Sequence, residues 1–423
     1  MAMDERARTA AVYAQYEAYP YPARDPADEA KRLITGSPSH LLEIAHYLNQ
    51  GHFDPKQPFR ALVAGGGTGD AAIMLAQQLA DEGADQAEVT YLDPSASSRG
   101  IAEARARVRG LDNIRFLSGE IEAVEDLCPN CFDYIDCCGV LHHLVDPVKG
   151  LRSLVSKLAE NGGMGLMVYG ALGRRGVYDV QEAMRLMADS NNDEDRISLV
   201  RRLLDGLPVT HWLRRNPFVG DYFQGGDAGL TDLLLHRRDR AYTVPEVMSL
   251  LGSSGLRPVS FVAPAQYDPS NYLVDPALVQ RGTALAELDQ WALAERLSGA
   301  ITKHIIYVVK IDRHDNPVAE LGVDWLSIVP IFRDLDPSVI SKGIHGGGEL
   351  KADLAPGHSY RALLPALAPE IAARIDGNCS LAALWKDLRE SGYTSLTDNG
   401  FLEQFDLFLR AFGPINRLLL RRP

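Results

Sequence analysis

From Arg60 to Leu79 the chain reads Arg-Ala-Leu-Val-Ala-Gly-Gly-Gly-Thr-Gly-Asp-Ala-Ala-Ile-Met-Leu-Ala-Gln-Gln-Leu. An apolar strand that turns through glycines and leaves at once as an amphipathic helix restricts the possible folds more than any other stretch. Glycine lets backbone come up against a ligand, and the start of a helix aims unpaired N–H groups at an anion. Such a turn predicts a cofactor of nucleotide type. Gly65, Gly67 and Gly69 are spaced G-x-G-x-G, whereas the dinucleotide fingerprint is G-x-G-x-x-G and position 70 is Asp.

The segments that follow keep a parallel-sheet rhythm. Glu88-Val-Thr-Tyr-Leu-Asp93 reads as a second strand ending in a carboxylate, roughly two dozen residues after the turn, where an α/β sheet sets an acid on ribose hydroxyls. Asn113 to Glu120 is a third strand with an acid at its end, Cys131 to Cys138 a fourth that runs into Gly-Val-Leu-His142-His143-Leu-Val-Asp-Pro147, and Gly162 to Gly170 a buried fifth. Strands alternating with helical patterns predict a parallel sheet, with ligands at the C-terminal strand ends. From about 171 to 240 the pattern turns helical, broken by Asn191-Asn-Asp-Glu-Asp195, Pro208 and Pro217. The core resumes at Thr243-Val-Pro-Glu246, a capped helix start. Arg257–Ala263 and His304–Ile311 read as two further strands, separated by a helix from Pro276 to about Leu297.

In the G-x-G-x-G turn, the strand-end Asp93, Ser118-Gly-Glu-Ile121 and Gly139-Val-Leu-His-His-Leu-Val-Asp-Pro147, the run from about 60 to 150 resembles class I S-adenosylmethionine-dependent methyltransferases. The resemblance implies an α/β, Rossmann-like, seven-stranded sheet whose last strand is antiparallel. It also implies S-adenosyl-L-methionine as cofactor, with S-adenosyl-L-homocysteine as product. Ala64, Gly65, Gly66, Gly67 and Gly69 then form the turn against the methionine end, and Asp93, followed by Pro94, bonds the ribose. Gly119, Glu120 and Ile121 meet the adenine, Cys138, Gly139 and Val140 line the sulfonium, and Tyr21 closes over the site. The family often carries an acid two residues before the first glycine; here that residue is Val63, and Asp70 is the expected substitute.

Around this core the chain divides into an N-terminal arm (1–59), the core with its helical insertion (60–312) and a small, mainly helical accessory domain (313–423). Short capped helices give the accessory domain a winged-helix look, while Asp376, Asp387, Glu390, Asp398, Glu403 and Asp406 favour packing or partner recognition over DNA. Alternating prolines and tyrosines from Val12 to Pro22 predict an extended arm, followed by a helix from about Ser39 to Gln50. Its four tyrosines could wall a sulfonium. The layout and the Tyr19-Pro-Tyr-Pro22 arm loosely resemble bacterial methyltransferases with a C-terminal methyltransferase regulatory domain, including rickettsial outer-membrane-protein lysine methyltransferases.

Composition narrows the function. A net charge of −13 speaks against a dedicated nucleic-acid binder. Arginine pairs at 174/175, 201/202, 214/215 and 237/238 read as solvated helix faces. The chain shows no apolar run of membrane-crossing length, and the start Met-Ala-Met-Asp lacks a signal peptide's apolar centre; the expectation is a cytoplasmic enzyme without membrane contact. Five cysteines argue against a disulfide framework, and Cys128-Pro-Asn-Cys131 reads as a turn rather than a zinc site, so no metal is expected.

Methyl transfer is an in-line displacement that needs positioning, and a base only when the nucleophile carries a proton. The candidates at the strand ends are His142, His143, Tyr169 and Tyr178, with Tyr19, Tyr21, His211 and His236 beyond them. For His142 and His143 packing of the loop is the simpler role. The expected acceptor is a protein side chain such as lysine, or a small molecule, rather than nucleic acid. A dinucleotide-dependent oxidoreductase would need a glycine at 70 and a Tyr-x-x-x-Lys pair; a non-catalytic S-adenosylmethionine-binding regulator is the other alternative. The apolar tail Leu418-Leu-Leu420 suggests burial against another surface, as in a homodimer.

Overall fold

The computed structural model describes residues 5–187, 192–220, 223 and 225–422. Seven strands, β1 (Phe59–Ala64), β2 (Ala87–Asp93), β3 (Ile114–Ser118), β4 (Phe132–Cys138), β5 (Leu158–Tyr169), β6 (Leu256–Phe261) and β7 (Lys303–Lys310), form one sheet in the order β3-β2-β1-β4-β5-β7-β6. The pairs from β3 to β5 are parallel, as the alternation of strands and helices predicts, and β7 runs antiparallel to β5, as the resemblance implies. The order reverses between β1 and β4, which opens a crevice at their C-terminal ends. β1 and β2 are buried along nearly their whole length, the continuous apolar pattern of strands covered on both faces. Among the described residues, no helix is long and apolar enough to cross a membrane.

The chain separates into two compact units: residues 1–40, 55–258 and 299–313, and residues 41–54, 259–298 and 314–423. Segment 41–54, and segment 259–298 beyond the end of β6, therefore group with the C-terminal residues.

In the first unit the insertion builds its own apolar core. Helices Val177–Met187, Asp193–Gly206 and Gly226–Leu234 bring Val180, Met184, Ile197, Val200, Leu230 and Leu233 together. Asn192 starts the second of these by accepting the Glu194 and Asp195 N–H groups; Asn191 lies outside the described residues, as do Met1 to Asp4. The arm differs from its expected extended path. Residues Glu5–Ala18 are helical, because Pro20 constrains only itself and Tyr19 and thus ends the helix without reaching back into it. Not all the arginine pairs are solvated: the Arg174 guanidinium is buried over the Tyr169 ring, 3.5 Å from its centroid.

In the second unit, helix Asp398–Phe412 presents Phe401, Phe405, Phe408 and Phe412 as one buried stripe, with Trp385 stacked on Phe401 at 4.8 Å. β8 (Val329–Phe332) pairs with β11 (Leu418–Arg421), and β9 (Glu349–Ala355) with β10 (His358–Leu363). The Leu418–Leu420 tail is thus covered within its own unit, and it supplies no apolar face for a second copy. The single helix expected over 276–297 is two, Pro276–Thr283 and Glu287–Ser298, because the Gln290 amide donates to the carbonyls of Thr283 and Leu285 and so satisfies the first helix's end. Cys128 is buried and Cys131 exposed beside β4, and all five cysteines are free.

This unit carries a pH-dependent stability term. His46, on helix Leu41–Leu48, accepts the Leu420 N–H at Nδ1, and burial depresses its pKa from 6.5 to about 4. The folded state therefore binds fewer protons than the unfolded chain, so the stabilisation is present above pH 6.5 and is lost as pH falls towards 4. Denaturation at pH 7 and pH 5, followed by tryptophan fluorescence, is expected to show His46 costing about 2 kcal/mol at the lower pH. His46→Asn, whose Oδ1 can take the same N–H, should remove that difference.

Candidate active site

The glycine turn is tied to the end of β2. Gly65 and Gly66 donate to the Leu92 carbonyl at 2.7 and 3.2 Å, and the Tyr91 hydroxyl donates to the Gly67 carbonyl at 2.6 Å. The Gly67 N–H donates to Asp93 Oδ2 at 2.8 Å, while Asp93 Oδ1 accepts the Ser95 N–H at 2.8 Å. A Cβ at Gly66 would lie 2.3 Å from the Tyr91 ring, so the turn must stay bare there. Asp93 is buried, and desolvation pushes its pKa up even though two backbone N–H groups favour the carboxylate.

A cavity of about 550 Å³ opens on this turn. Gly65, Gly66, Gly67, Asp70, Asp93 and Pro94 line it from β1 and β2, Gly119, Glu120 and Ile121 from the end of β3, and Cys138, Gly139 and Val140 from the end of β4. Tyr21 comes from the arm. Two of the expected cofactor residues stand behind the wall: Ala64 is buried within β1, and Gly69, at φ 100°, packs where a Cβ would sit 2.8 Å from Ala102. Gly69 thus serves helix packing. Asp70 lines the cavity, yet it is not a free substitute for the acid missing at Val63: it accepts from Arg24 at 2.9 and 2.5 Å and from Arg105 at 2.7 Å. Burial would raise its pKa, but the Arg24 and Arg105 guanidiniums outweigh this and hold it low.

The arm forms the opposite wall. Thr68 Oγ1 donates to the Pro22 carbonyl at 2.7 Å, and Tyr13, Tyr16 and Tyr21 line the cavity, while Tyr19 packs on the insertion's core instead. Of the four tyrosines expected to form an aromatic wall, three face it.

One end of the cavity carries a polar cluster built from three distant segments. Asp232, on helix Gly226–Leu234, accepts from the Tyr16 hydroxyl at 3.2 Å and the Tyr169 hydroxyl at 3.0 Å. His236 Nδ1 accepts the Arg238 N–H at 3.0 Å, so in the neutral ring Nε2 carries the proton and donates to the Tyr16 oxygen at 3.1 Å. His143 has the opposite tautomer. Its Nδ1 lies 2.9 Å from the Arg238 carbonyl, which can only accept, and the lone pair is therefore on Nε2. The His143 and His236 rings stack at 3.8 Å. Burial lowers the pKa of both, leaving them neutral at pH 7.

His143, Asp232 and His236 lie close enough to surround a cation. The His236 tautomer argues against such a site, because Nε2 already bears a proton. The other candidates stand back from the cavity. His142 is buried against the Tyr169 ring at 4.0 Å, Tyr178 belongs to the insertion's core, and His211 caps helix Trp212–Arg215 by accepting the Leu213 N–H. Arg24, Asp136, Asp232, Arg238 and Lys303 also line the cavity, and none has a local motif that marks it.

Residues 62–164 match the family described as Methyltransferase domain. The chain carries a methyltransferase domain with the class I fold. An uncharacterized protein of Synechococcus sp. is 30% identical over 304 residues, covering 70% of this chain and 70% of its own. The ubiquinone biosynthesis O-methyltransferase of Vibrio cholerae is 24% identical over 181 residues, 39% of this methyltransferase and 69% of that one. Among solved structures, PKMT2 from Rickettsia typhi shares the fold with a TM-score of 0.62 at 13% identity, over 90% of this chain and 75% of that one. Its complex with AdoHcy aligns over 90% and 74% with a TM-score of 0.58 at 15% identity. The cofactor that the sequence predicts is S-adenosyl-L-methionine. The bare turn, the buried strand-end carboxylate of Asp93 and the size of the cavity fit that cofactor.

Proposed function

We propose that this methyltransferase acts on the side-chain amine of a lysine presented by a protein. The observation that carries the reading is the Asp232 carboxylate, gripped by the Tyr16 and Tyr169 hydroxyls in the cavity wall beside His143. Among the described residues lining the cavity, six are acidic (Asp70, Asp93, Glu120, Glu122, Asp136, Asp232) and three basic (Arg24, Arg238, Lys303). Such a lining favours cationic ligands.

In this reading the Gly65–Gly67 backbone and Asp93 hold the ribose and methionine portions of the cofactor. Glu120 accepts from the adenine amine beside Ile121, and Cys138, Gly139 and Val140 border the reacting end. Bound there, S-adenosylmethionine supplies an electrophilic methyl group on a sulfonium. Asp232 attracts the incoming ammonium. That ammonium must lose a proton before its nitrogen can attack, and His143 Nε2 is the neutral acceptor at hand. Alignment of the two reactants supplies the remainder of the rate.

The test is incubation of the full chain with methyl-tritiated S-adenosylmethionine and a protein extract, in parallel with a set of phenols and small amines. Tritium in methyl-lysine after acid hydrolysis supports the reading. Label confined to a methyl ether or a small methylated amine overturns it.

A further inference from the structure

Asp136 is a carboxylate with no role in the acceptor cluster. It lies within β4, 1% exposed, and lines the cavity. Its side chain accepts the Ser39 hydroxyl at 2.7 Å and the Cys138 backbone N–H, both neutral donors. Ser39 is itself 3.3 Å from the Tyr134 hydroxyl, so the carboxylate is held in place from behind. A buried carboxylate on neutral donors is costly unless a positive charge reaches it. Burial raises its pKa to about 7, outweighing the Ser39 and Cys138 hydrogen bonds that lower it.

Its place on the sheet says which charge. Asp136 is the register partner of Val63 on β1, and neighbours in register share a face. Cys138, two residues on, is on that face as well, and all three residues line the cavity. The strand-end acids Asp93 and Glu120 stand on the β2 and β3 side, which assigns the adenosine there. The amino-acid end of the cofactor must then extend towards β4. Asp70 cannot serve that end, being already paired with Arg24 and Arg105.

We infer that Asp136 receives the α-ammonium of the cofactor's methionine moiety, a role that Val63 cannot fill and Asp70 has surrendered to Arg24. The inference rests on the placement of the cofactor in this cavity, and Asp93 tests that placement separately. The experiment is calorimetric titration of the full chain and its Asp136→Asn and Asp93→Ala variants. The ligands are S-adenosylmethionine, S-adenosylhomocysteine and 5′-methylthioadenosine, which keeps the adenosine and thioether but has no amino-acid end.

Asp136→Asn should weaken the first two by about tenfold or more and leave the third within about twofold. Asp93→Ala should weaken all three. Unchanged affinity for the first two in Asp136→Asn overturns the assignment, and so does an equal loss for 5′-methylthioadenosine, which would mark a structural role. Loss for S-adenosylmethionine alone also overturns it, moving the contact to the sulfonium. If Asp93→Ala affects none of the ligands, the placement of the cofactor fails, and the assignment of Asp136 with it. Should Asp136→Asn not fold, Asp136→Ser, which keeps a partner for Ser39, carries the same expectations.

Discussion

Asp93→Ala is expected to weaken S-adenosylmethionine binding by on the order of 1.5–3 kcal/mol, the scale of a hydrogen bond to a charged group. That is roughly a ten- to hundredfold rise in Kd. The expectation follows from the carboxylate's position at the end of β2, where it is half-satisfied by the Gly67 and Ser95 N–H groups and keeps lone pairs for ribose hydroxyls. Because the same carboxylate anchors Gly67, its loss also frees the turn. Glu120→Ala should cost less, since Glu120 is exposed at the rim and anchors no turn. Calorimetric titration of both variants checks the order, and a Glu120→Ala loss equal to or larger than that of Asp93→Ala would reverse the two assignments.

His143→Asn is expected to lower the single-turnover rate of methyl transfer by about 10²–10⁴, the range for removal of a general base, with the Kd for S-adenosylmethionine little changed. Asn can still donate to the Arg238 carbonyl, so the loop should keep its path while the basic lone pair disappears. Burial lowers the His143 pKa below 6.5, despite the opposing pull of Asp239. The ring is then an active base at neutral pH, and its contribution is lost only on acidification. In the wild-type enzyme the acid limb assigned to His143 should accordingly fall below pH 6.5 and should vanish in His143→Asn. A variant that turns over at the wild-type rate would reduce His143 to loop packing and leave an already neutral amine as the nucleophile.

The cofactor side was open to reading because each of its parts is local. A glycine turn, a strand-end acid two dozen residues later and the Gly139–Pro147 loop depend on backbone conformation and on the two- and 3.6-residue periods, which a linear sequence displays. The prolines of the arm predict an extended path, yet Pro20 and Pro22 govern only their own turn and not the helix Glu5–Ala18 before it. The 276–297 segment reads as one helix because the amide of Gln290, which ends the first of the two, gives no pattern in the chain.

The polar cluster around Asp232 was not legible in the same way. Tyr16 and Asp232 are 216 residues apart, and Tyr16 was foreseen only as part of an aromatic wall. Nothing about Asp136 as a strand residue distinguishes it from a solvated acid until Ser39 and the cavity are seen around it. Nor does the sequence reveal that Arg24 occupies Asp70. By itself the sequence determined the sheet, the glycine turn and the strand-end acid, because these rest on short-range backbone geometry. Only the tertiary structure decided which carboxylates are paired, which histidine nitrogen carries the lone pair and which segments meet around Asp232. Those properties depend on burial and on partners brought from far along the chain, and no spacing encodes them.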